Sequence, residues 1–545
     1  MKYMKIAVIA LVLSCGVAVC AQSVSLQGSE PTGKSEWVWF NAEGKLEYKT
    51  TEKGDRIMDF SHAGYMGGGV ALPDVPVKET ISPPADGADA TRLIQDVLNE
   101  VSAMPFDDKG FRGAVLLAPG EFVISSTLSI GASGVVLRGS VSAAGELQST
   151  IRMGAPRDGG RGYLAIQVQQ RQSGGQAGGG GQRQAGGSAP VQTMLADDYV
   201  PSGTRTFRVQ SANGFQVGDQ IQLQRPVTAA WTEFVVMHNL VRDGNQQTWM
   251  PINSRINMER RITAIDGDQI TVDVPLADSY DAHYLHPPGT NVVKQTSPSG
   301  RINQVGIEYL RIVSPESPFN HTDPRSMTGI RMNVEDSWIR KVRIYETMDT
   351  VRVNGHRITL QQVDVIRKSD HTGSSRPAAF APDGGQILLD RCTVDANNVW
   401  FVATGGRNMG PIVILNGTFL GNSRAEGHQR WTTAMMFDNC AMPNGRLDFI
   451  NRGVSGGGHG WALAWCVAWN TVTRDIVIQE PPGTRNWAIG STGRRITMSR
   501  LNDPSSPRLP EGTFDSHGTH VAPKSLYLAQ LKERLGEEAL KNIGY

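Results

Sequence analysis

The sequence predicts an all-β protein built as a solenoid of short strands. Glycine and proline are frequent, with 61 and 29 residues, and short Val, Ile, Leu and Thr runs alternate with turn residues along most of the chain. After residue 300 these runs return at intervals near twenty residues, and both Val342 to Val363 and Phe419 to Cys440 are 21 positions apart. A period of this size built from short strands is typical of a solenoid in which each coil buries its apolar face on the next.

The chain begins with an expected export signal over residues 1–21. A basic start containing Lys2 and Lys5 precedes an apolar core over residues 6–13, which is too short to span a bilayer, and a small-residue cleavage site precedes Gln22. A lipid-attachment box at one of the leader cysteines is the weaker alternative. We therefore expect a secreted or periplasmic protein without a membrane span, with a lipoprotein as the second possibility.

Charge and cysteine content exclude several classes of protein. The formal net charge is +1, and removing the two leader lysines takes it to −1, so no basic tail or stripe indicates a nucleic-acid partner. Cys392, Cys440 and Cys466 remain after the leader, each in or beside an apolar run, and their spacing fits neither a zinc site nor a disulfide framework. We expect three small buried side chains, and the sequence carries no signal for an oligomeric state.

Residues 22–156 are predicted to form an N-terminal cap and the first coils. Within them, residues 89–101 form the clearest amphipathic helix, with Asp89 as its N-cap. Its apolar face is expected to contain Leu93, Ile94, Val97, Leu98 and Val101. Four short strand patterns follow, with the sequences AVLLAP, EFVIS, STLSI and GVVLRG.

Two segments interrupt the repeat before it returns. Residues 157–190 are rich in Gly and Gln and are predicted to be a flexible loop, since they have too little apolar surface to order themselves. Residues 191–298 are expected to form a small inserted β domain. The main coils, with a substrate groove, are assigned to residues 299–515, and residues 516–545 are expected to form a C-terminal helical cap.

Two stretches resemble a known superfamily. The run DGADATRLIQDVLNEV followed by GAVLLAPGEFVISSTLSIGASGVVLRGS is similar to the opening of pectate-lyase-like proteins, and DGGQILLDRC, EGHQRWTTAMMFDN and GGGHGW resemble a secreted bacterial subgroup. The resemblance implies a right-handed parallel β-helix with an N-terminal capping helix. It does not fix the reaction, because this scaffold carries lyases, hydrolases, epimerases and binding proteins.

Two glycine-flanked polar clusters are the candidate site. Residues 427–431 (Gly-His-Gln-Arg-Trp) and 458–461 (Gly-His-Gly-Trp) each put an imidazole near an indole. Such a mixture suits a surface that stacks sugar rings and moves a proton near a negative group. We expect the loops that carry His428 and His459 to project from stacked coils into one groove.

Among the reactions that this superfamily carries, we favour cleavage of a uronic-acid polysaccharide by β-elimination. This reaction neutralises the C5 carboxylate, removes its α-proton and protonates the departing O4. We expect Arg430 to neutralise the carboxylate, and His428 and His459 to act as base and acid. Trp431 and Trp461 are expected to stack against the sugar rings. Further candidates for the substrate groove are Arg407, His371, Arg376, Asn439 and Asp438.

Two alternatives stay open. A glycoside hydrolase would use paired carboxylates, for which Glu426 and Asp438 are candidates. Residues 458–460 match one Gly-His-Gly element of polygalacturonases, but the Asp-Asp and Arg-Ile-Lys elements of that family are missing from the later repeats. The second alternative is a β-helix that binds glycans without catalysis.

We expect the reaction to need no cofactor. A calcium site, as some pectate lyases have, requires several carboxylates on adjacent coils, and Asp364, Asp390 and Asp395 have a repeat-like spacing. We interpret them as solvated strand residues, so calcium is possible but not favoured.

Overall fold

The computed structural model describes residues 30–155, 160–170, 190–296, 299–316, 322–369, 375–503 and 506–545. Within these ranges the protein is all-β, as predicted, and 26 strands form one continuous system of parallel pairings. Each coil of the solenoid hydrogen-bonds to the next, which gives a parallel β-helix, the fold that the resemblance implies. The predicted export signal lies outside the described residues.

The first coils come from the N-terminal part of the chain. Their strands are Val77–Ile81, Gly113–Leu117, Gly120–Ile124, Leu128–Ile130, Val135–Gly139, Ser149–Met153 and Leu164–Val168. The last of these strands corrects a prediction, because it falls in the segment 157–190 that was expected to be a loop. Its alternating apolar side chains are buried and it pairs with Leu128–Ile130 on one side and with the strand that begins at Thr328 on the other. Residues 171–189 lie outside the described residues.

The main coils follow after residue 300. Their strands are Ile302–Asn303, Gly306–Glu308, Leu310–Val313, Thr328–Tyr345, Met348–Arg367, Ala378–Asp390, Thr393–Ala396, Trp400–Ala403, Met409–Leu415, Thr418–Leu420, Arg424–Glu426, Thr432–Asp438, Ala441–Phe449, Leu463–Ala464, Val467–Trp469, Val472–Ile478, Trp487–Ile489, Thr492–Arg495 and Thr513–Asp515. The three cysteines of this region are unpaired and buried, as expected.

The register of these coils tests the predicted period. Val342 pairs with Val363, so the spacing of 21 is one coil, as predicted. The second predicted interval was wrong, because Thr418 pairs with Ala441, which makes that coil 23 residues long. Loops at the corners lengthen other coils, and one ladder of partners runs through Arg343, Asp364, Thr393, Thr418, Ala441, Val472 and Thr492.

A helix packs on the first strands. It runs over Thr91–Ala103 and buries Ile94, Leu98 and Val101, whereas Leu93 is 43% exposed, contrary to the prediction. Asp89 does not occupy the N-cap position, because the helix begins one residue later than expected. Its carboxylate still accepts the Thr91 amide at 2.8 Å.

The segment before this helix, for which the sequence predicts an N-terminal cap or edge strands, begins with a short edge strand. It runs along the side of the later coils, where the strand Gly33–Lys34 pairs with Val521–Ala522. A hairpin of Val38–Phe40 and Leu46–Tyr48 and the short helical turns Tyr65–Gly67 and Ala85–Gly87 complete it. The C-terminal helices Leu526–Leu535 and Glu537–Asn542 cover the same side, and Gln530 accepts the Phe60 amide at 2.9 Å.

An antiparallel sheet lies between the two halves of the solenoid in sequence, within the segment predicted as an insert. Its strands are Gln192–Met194, Thr206–Arg208, Gln220–Pro226, Arg255–Asp266, Gln269–Val272 and Asn291–Lys294. Two further pairs join Tyr199–Val200 to Tyr280–Asp281 and Val241–Arg242 to Asn245–Gln246, and short helices span Ala229–Phe234, Ala282–Leu285 and, in the main coils, Ser455–Gly458. Among the described residues, no helix has the length and apolar character needed to cross a bilayer.

The inserted sheet packs on the solenoid through a cluster of indoles. Trp231 and Trp249 of the insert lie 5.0 and 5.6 Å, between ring centroids, from Trp431 of the main coils. One buried apolar cluster includes residues of both parts. The insert is therefore fixed against the coils next to the two glycine-flanked clusters.

Candidate functional site

A cleft of about 740 Å³ lies where the main coils meet the hairpin of the insert. Its walls carry five arginines, two histidines and one indole, namely Arg242, Arg352, Arg376, Arg424, Arg452, His428, His459 and Trp400. Of the described residues that line it, Asp349 is the one carboxylate. Cationic side chains therefore predominate on the surface of the cleft.

The two candidate histidines lie together in this cleft. His428 follows the strand Arg424–Glu426, and His459 ends the short helix Ser455–Gly458. Their ring centroids are 4.9 Å apart, although 31 positions separate them in the chain. The loops thus project into one groove, as the spacing of the two clusters predicted.

His428 is held by a buried carboxylate. Its Nδ1 lies 2.7 Å from Oε1 of Glu426, which has no exposed surface. This contact fixes the orientation of the imidazole. It also leaves Nε2 without a hydrogen bond among the described residues, so Nε2 is the nitrogen that can serve a substrate.

Glu426 is an anion in a cationic shell. Burial raises its pKa, but Arg452, His428 and Arg424 act in the opposite direction and lower the pKa to about 2. On the next coil Asp448 is the register partner of Glu426 and accepts ion pairs from Arg446 and Arg424 at 2.6 and 3.3 Å. Two buried carboxylates therefore anchor the guanidinium groups of the cleft wall.

His459 is held in the neutral state. Burial lowers its pKa first, and the nearby charges of His428, Arg452 and Arg430 lower it further, to about 3. Its Nδ1 is buried and has no hydrogen-bond partner among the described residues. At neutral pH this ring is therefore not an imidazolium and cannot protonate a leaving group as a general acid.

Trp400 forms the centre of the arginine cluster. The guanidinium carbons of Arg424, Arg376 and Arg452 lie 4.4, 5.3 and 5.4 Å from its ring centroid. Arg424 and Arg452 are paired with Glu426, whereas Arg376 has no ion pair among the described residues. Arg376 is thus the cation of this cluster that is free to bind an anionic ligand.

A third buried carboxylate supports the other side of the cleft. Asp383 pairs with Arg352 at 3.0 Å and accepts the backbone amide of Gly405 and the side-chain amide of Asn408. Burial raises its pKa, while Arg352 and the hydrogen bonds lower it by less. Asp383 therefore holds Arg352 and the Gly405 turn in place.

The two tryptophans of the clusters do not stack sugars, contrary to the prediction. Trp431 is 0% and Trp461 is 2% exposed. Trp431 Nε1 donates to Asp278 at 2.7 Å, and Trp461 Nε1 donates to the Val235 carbonyl at 3.0 Å. Both indoles bind the inserted sheet to the coils, because its apolar surface covers this side of the solenoid.

Arg430 and Arg407 also fail to line the cleft. Arg430 adopts a left-handed backbone conformation (φ 48°), and its guanidinium donates to the Gly457 carbonyl at 3.2 Å. The Arg407 amide donates to the Arg430 carbonyl at 2.7 Å, so the two turns stack on each other. Arg430 is therefore not among the residues that line the cleft, and the arginines around Trp400 line it instead.

Asp438 and Asn439 lie on another side of the molecule. The buried Asp438 accepts the Ser525 hydroxyl at 2.7 Å and the Tyr527 amide at 2.8 Å, where the C-terminal helix begins. Asn439 donates to Asn416 at 2.7 Å and lines a separate cavity beside that helix. Neither residue belongs to the histidine cleft, which removes the predicted pair of Glu426 and Asp438.

His371, predicted for the substrate groove, and the three aspartates considered for calcium are not among the described residues that line the cleft. His371 lies outside the described residues. Asp364, Asp390 and Asp395 each contact a basic side chain, at 3.1, 2.6 and 2.5 Å. Within the described ranges, no group of three or more His, Cys, Asp or Glu side chains is arranged to hold a metal ion.

Sequence reasoning missed most of the arginine wall. One signal was available, because Arg-Ala-Glu at 424–426 and Arg-Leu-Asp at 446–448 repeat the same pattern 22 positions apart, in register on adjacent coils. Trp400 is the register partner of Arg424, which a ladder drawn through the repeats would have indicated. Arg242 carried no signal, since it comes from the insert.

The fold and the site together define a parallel β-helix protein with an arginine- and histidine-lined cleft. No protein-family model matches the sequence, and no curated protein matches it.

Similar solved structures include the tailspike protein gp49 from Pseudomonas phage LKA1, at 13% identity and a TM-score of 0.34, which covers 71% of this chain and 70% of that one. The Streptococcus pneumoniae surface adhesin PfbA matches at 9% identity and a TM-score of 0.30, over 76% of this chain and 85% of the adhesin. A polygalacturonase from Erwinia carotovora matches at 12% identity and a TM-score of 0.24, over 78% of this chain and 95% of the enzyme. These likenesses concern the fold alone.

Proposed function

We propose that this protein is an enzyme that cleaves an acidic polysaccharide by β-elimination in the histidine cleft, with His428 as the base. The observation that carries the proposal is the combination of an imidazole fixed by a buried carboxylate with a wall of five arginines. The cleft provides a base and a field for negative charge, which are two of the three requirements of this reaction, and the protonated base can then supply the third, a proton for O4.

The charge of the cleft selects the class of substrate. Asp383, Glu426 and Asp448 balance three of the five guanidinium groups from behind the wall, whereas Arg242 and Arg376 have no ion pair among the described residues. These two cations favour a glycan that carries carboxylates. Arg376 is the candidate to grip the C5 carboxylate, because guanidinium binds carboxylate in a bidentate manner and this one has no ion pair among the described residues. Pairing the carboxylate with a cation stabilises the enolate-like charge that develops when the neighbouring proton leaves.

The proton transfer falls to His428. Nε2 accepts the proton from C5, the electron pair of the C5–H bond forms the C4–C5 double bond, and the C4–O4 bond breaks. The imidazolium then returns the proton to O4. Glu426 stabilises the imidazolium during this exchange, and the neutral His459 next to it adds no competing positive charge.

The hydrolase alternative is less well supported. Hydrolysis with two carboxylates requires one acid and one base that reach the glycosidic bond. Glu426 and Asp448 have no exposed surface and are engaged by arginines, and Asp438 lies beside the C-terminal helix. Asp349 alone would have to supply both functions within the described part of the cleft wall.

The test is digestion of a panel of polyuronates with two readouts. We expect ultraviolet absorbance from an unsaturated uronate to rise in step with new reducing ends, and a chelator to leave the rate unchanged because arginines supply the positive charge. New reducing ends without the absorbance would favour hydrolysis. The absence of both signals on every acidic glycan of the panel would contradict an enzymatic role.

Two variants locate the reaction in the cleft. His428→Ala should lower kcat by at least about 10²-fold, the contribution typical of a positioned general base. Arg376→Gln should lower kcat/KM, whereas Arg494→Gln, whose side chain is 73% exposed outside the cleft, should leave it unchanged. Full activity in the His428 variant would show that the site is misplaced.

A further inference from the structure

A second cavity lies at the junction of the insert and the coils. Its volume is about 230 Å³, and Arg225, Trp231, Phe234, Asp278, Asp281 and Tyr284 contribute to its walls. It shares no lining residue with the histidine cleft. An inference about it therefore does not depend on the reaction proposed for that cleft.

Arg225 is the unusual group of this cavity. It is 5% exposed, and its Nε and Nη1 are buried without a hydrogen-bond partner among the described residues. Its nearest acid, Asp278, lies 3.7 Å away, close enough for charge attraction but beyond hydrogen-bond length. The Asp278 carboxylate is already occupied by the indole N–H groups of Trp431 and Trp465 at 2.7 and 3.0 Å. The guanidinium also forms part of the cavity wall, where the acceptor oxygens of a ligand would stabilise a cation that the protein leaves incompletely hydrogen-bonded.

The charges around the cavity cancel. Arg225 faces Asp278, and Lys53 pairs with Asp281 at 3.0 Å. An anionic ligand would meet two carboxylates as well as two cations and would gain little. A neutral ligand rich in hydroxyl groups could accept from Arg225 without disturbing either pair.

The rest of the wall is aromatic. Phe234 and Tyr284 stack with ring centroids 4.0 Å apart and are both partly exposed. Trp231 supports the guanidinium of Arg225, whose carbon lies 3.8 Å from the ring centroid. Ring faces beside hydrogen-bonding groups suit the apolar face and the hydroxyl rim of a sugar.

We propose that this cavity binds one neutral pyranose ring of a saccharide, with Arg225 donating to its hydroxyl oxygens and the aromatic wall contacting its face. The volume is below the roughly 300–1,000 Å³ typical of pockets for larger ligands, so one ring enters and the rest of a chain stays outside. The protein then has two carbohydrate sites of opposite preference, one for acidic units and one for a neutral unit.

The test is ligand-observed NMR on the full chain with the methyl glycosides of glucose, galactose and mannose, and of glucuronic acid for comparison. We expect at least one neutral glycoside to give a saturable saturation-transfer signal. Any signal from the glucuronide should be the same in the parent protein and in Tyr284→Ala, because it should not come from this cavity. Tyr284→Ala should weaken the neutral ligand by about tenfold or more, and Arg225→Gln should do the same if it folds. Tyr284 is at the partly exposed wall, so its variant carries the test if the arginine variant is unstable.

His428→Ala separates the two sites. Binding of the neutral glycoside should persist in this variant, because His428 lines only the other cleft. Loss of the signal in His428→Ala, its survival in Tyr284→Ala, or absence of saturable binding by every neutral glycoside would overturn the proposal and leave water as the occupant of the cavity.

Discussion

Glu426 holds the proposed base in place without contacting the solvent. It binds Nδ1 of His428 and the guanidinium of Arg452 at once, so it orients the imidazole and positions a cation of the cleft wall. A carboxylate in this place combines structural and electrostatic functions, in the manner of the orienting carboxylates of other imidazole bases.

The first prediction concerns this residue. Glu426→Gln removes the negative charge and leaves Arg452, 5% exposed, without its buried counter-ion. We expect the free energy of unfolding to fall by about 3–5 kcal/mol and the rate to fall with it. Urea denaturation measures the first effect. A change within about 0.5 kcal/mol, the range of an ordinary surface substitution, would contradict this account of the cleft.

Asp438 gives a prediction about pH. Burial raises its pKa to about 7, and the hydrogen bonds from Ser525, Tyr527 and Leu526 do not reverse this. The folded protein therefore holds the proton above the unfolded value of about 3.9, so this residue's contribution to stability is present at low pH and is lost as pH rises from about 4 to about 7.

Asp438→Asn removes the titration and provides the comparison. The free energy of unfolding of the parent minus that of the variant should fall by up to about 1.4 kcal/mol per pH unit across this window. A difference that is constant between pH 4 and 7, or that rises, would show that the carboxylate is charged in the folded protein.

The sequence indicated which residues meet on neighbouring coils better than it indicated which residues are covered by distant parts of the chain. The pairing of His428 with His459 follows from two similar clusters on neighbouring coils, and the structure brings them together. The burial of Trp431 could not follow from its cluster, because Trp249 and Trp231, which cover it, lie 182 and 200 positions earlier in the chain. The same limit applies to Asp438, whose partners belong to the C-terminal helix.

Among the structural elements, the junction between coils and insert depends on the indoles. Trp431 donates to the buried Asp278 and packs against Trp231 and Trp249. Trp431→Phe should cost about 1–3 kcal/mol, because Asp278 loses a donor in a buried setting. Trp39→Phe, at a partly exposed indole that pairs with Glu47, is the matched control and should change stability by less than about 0.5 kcal/mol.

This prediction also separates packing from sugar binding in the histidine cleft. We expect kcat/KM for the acidic substrate to survive Trp431→Phe once the temperature is low enough to keep the variant folded. A large loss of substrate affinity with unchanged thermal unfolding would restore Trp431 as a sugar platform and contradict the structural assignment.

The elements themselves were largely predictable. The coils, the helix over Thr91–Ala103 and the C-terminal helices follow from local patterns of apolar residues. The course of residues 30–69 along the side of the later coils was not predictable, since it depends on contacts such as Gly33–Lys34 with Val521–Ala522, almost 500 positions apart. Corner loops change the coil length, which is why the second 21-residue interval failed while the first held.

At the scale of the molecule, a chain with little net charge presents a cleft that is lined mostly by cations. The formal net charge is +1, yet five arginines line this cleft. We expect KM for an acidic glycan to rise with salt, since the Debye length shortens from about 30 Å at 0.01 M to about 8 Å at 0.15 M. Steady-state kinetics in a sodium chloride series measures this, with kcat as the internal control. A KM independent of salt would indicate that the arginines do not contact the substrate.

The most direct test of the central claim is a crystal structure of His428→Ala with a uronic-acid oligosaccharide bound. We expect one carboxylate to lie against the guanidinium of Arg376, and the C5 atom of the same unit to face the space left by the imidazole, near the roughly 3–3.5 Å of a reactive contact in the parent protein. An oligosaccharide that lies outside the cleft, or whose carboxylates point away from the arginines, would contradict the account.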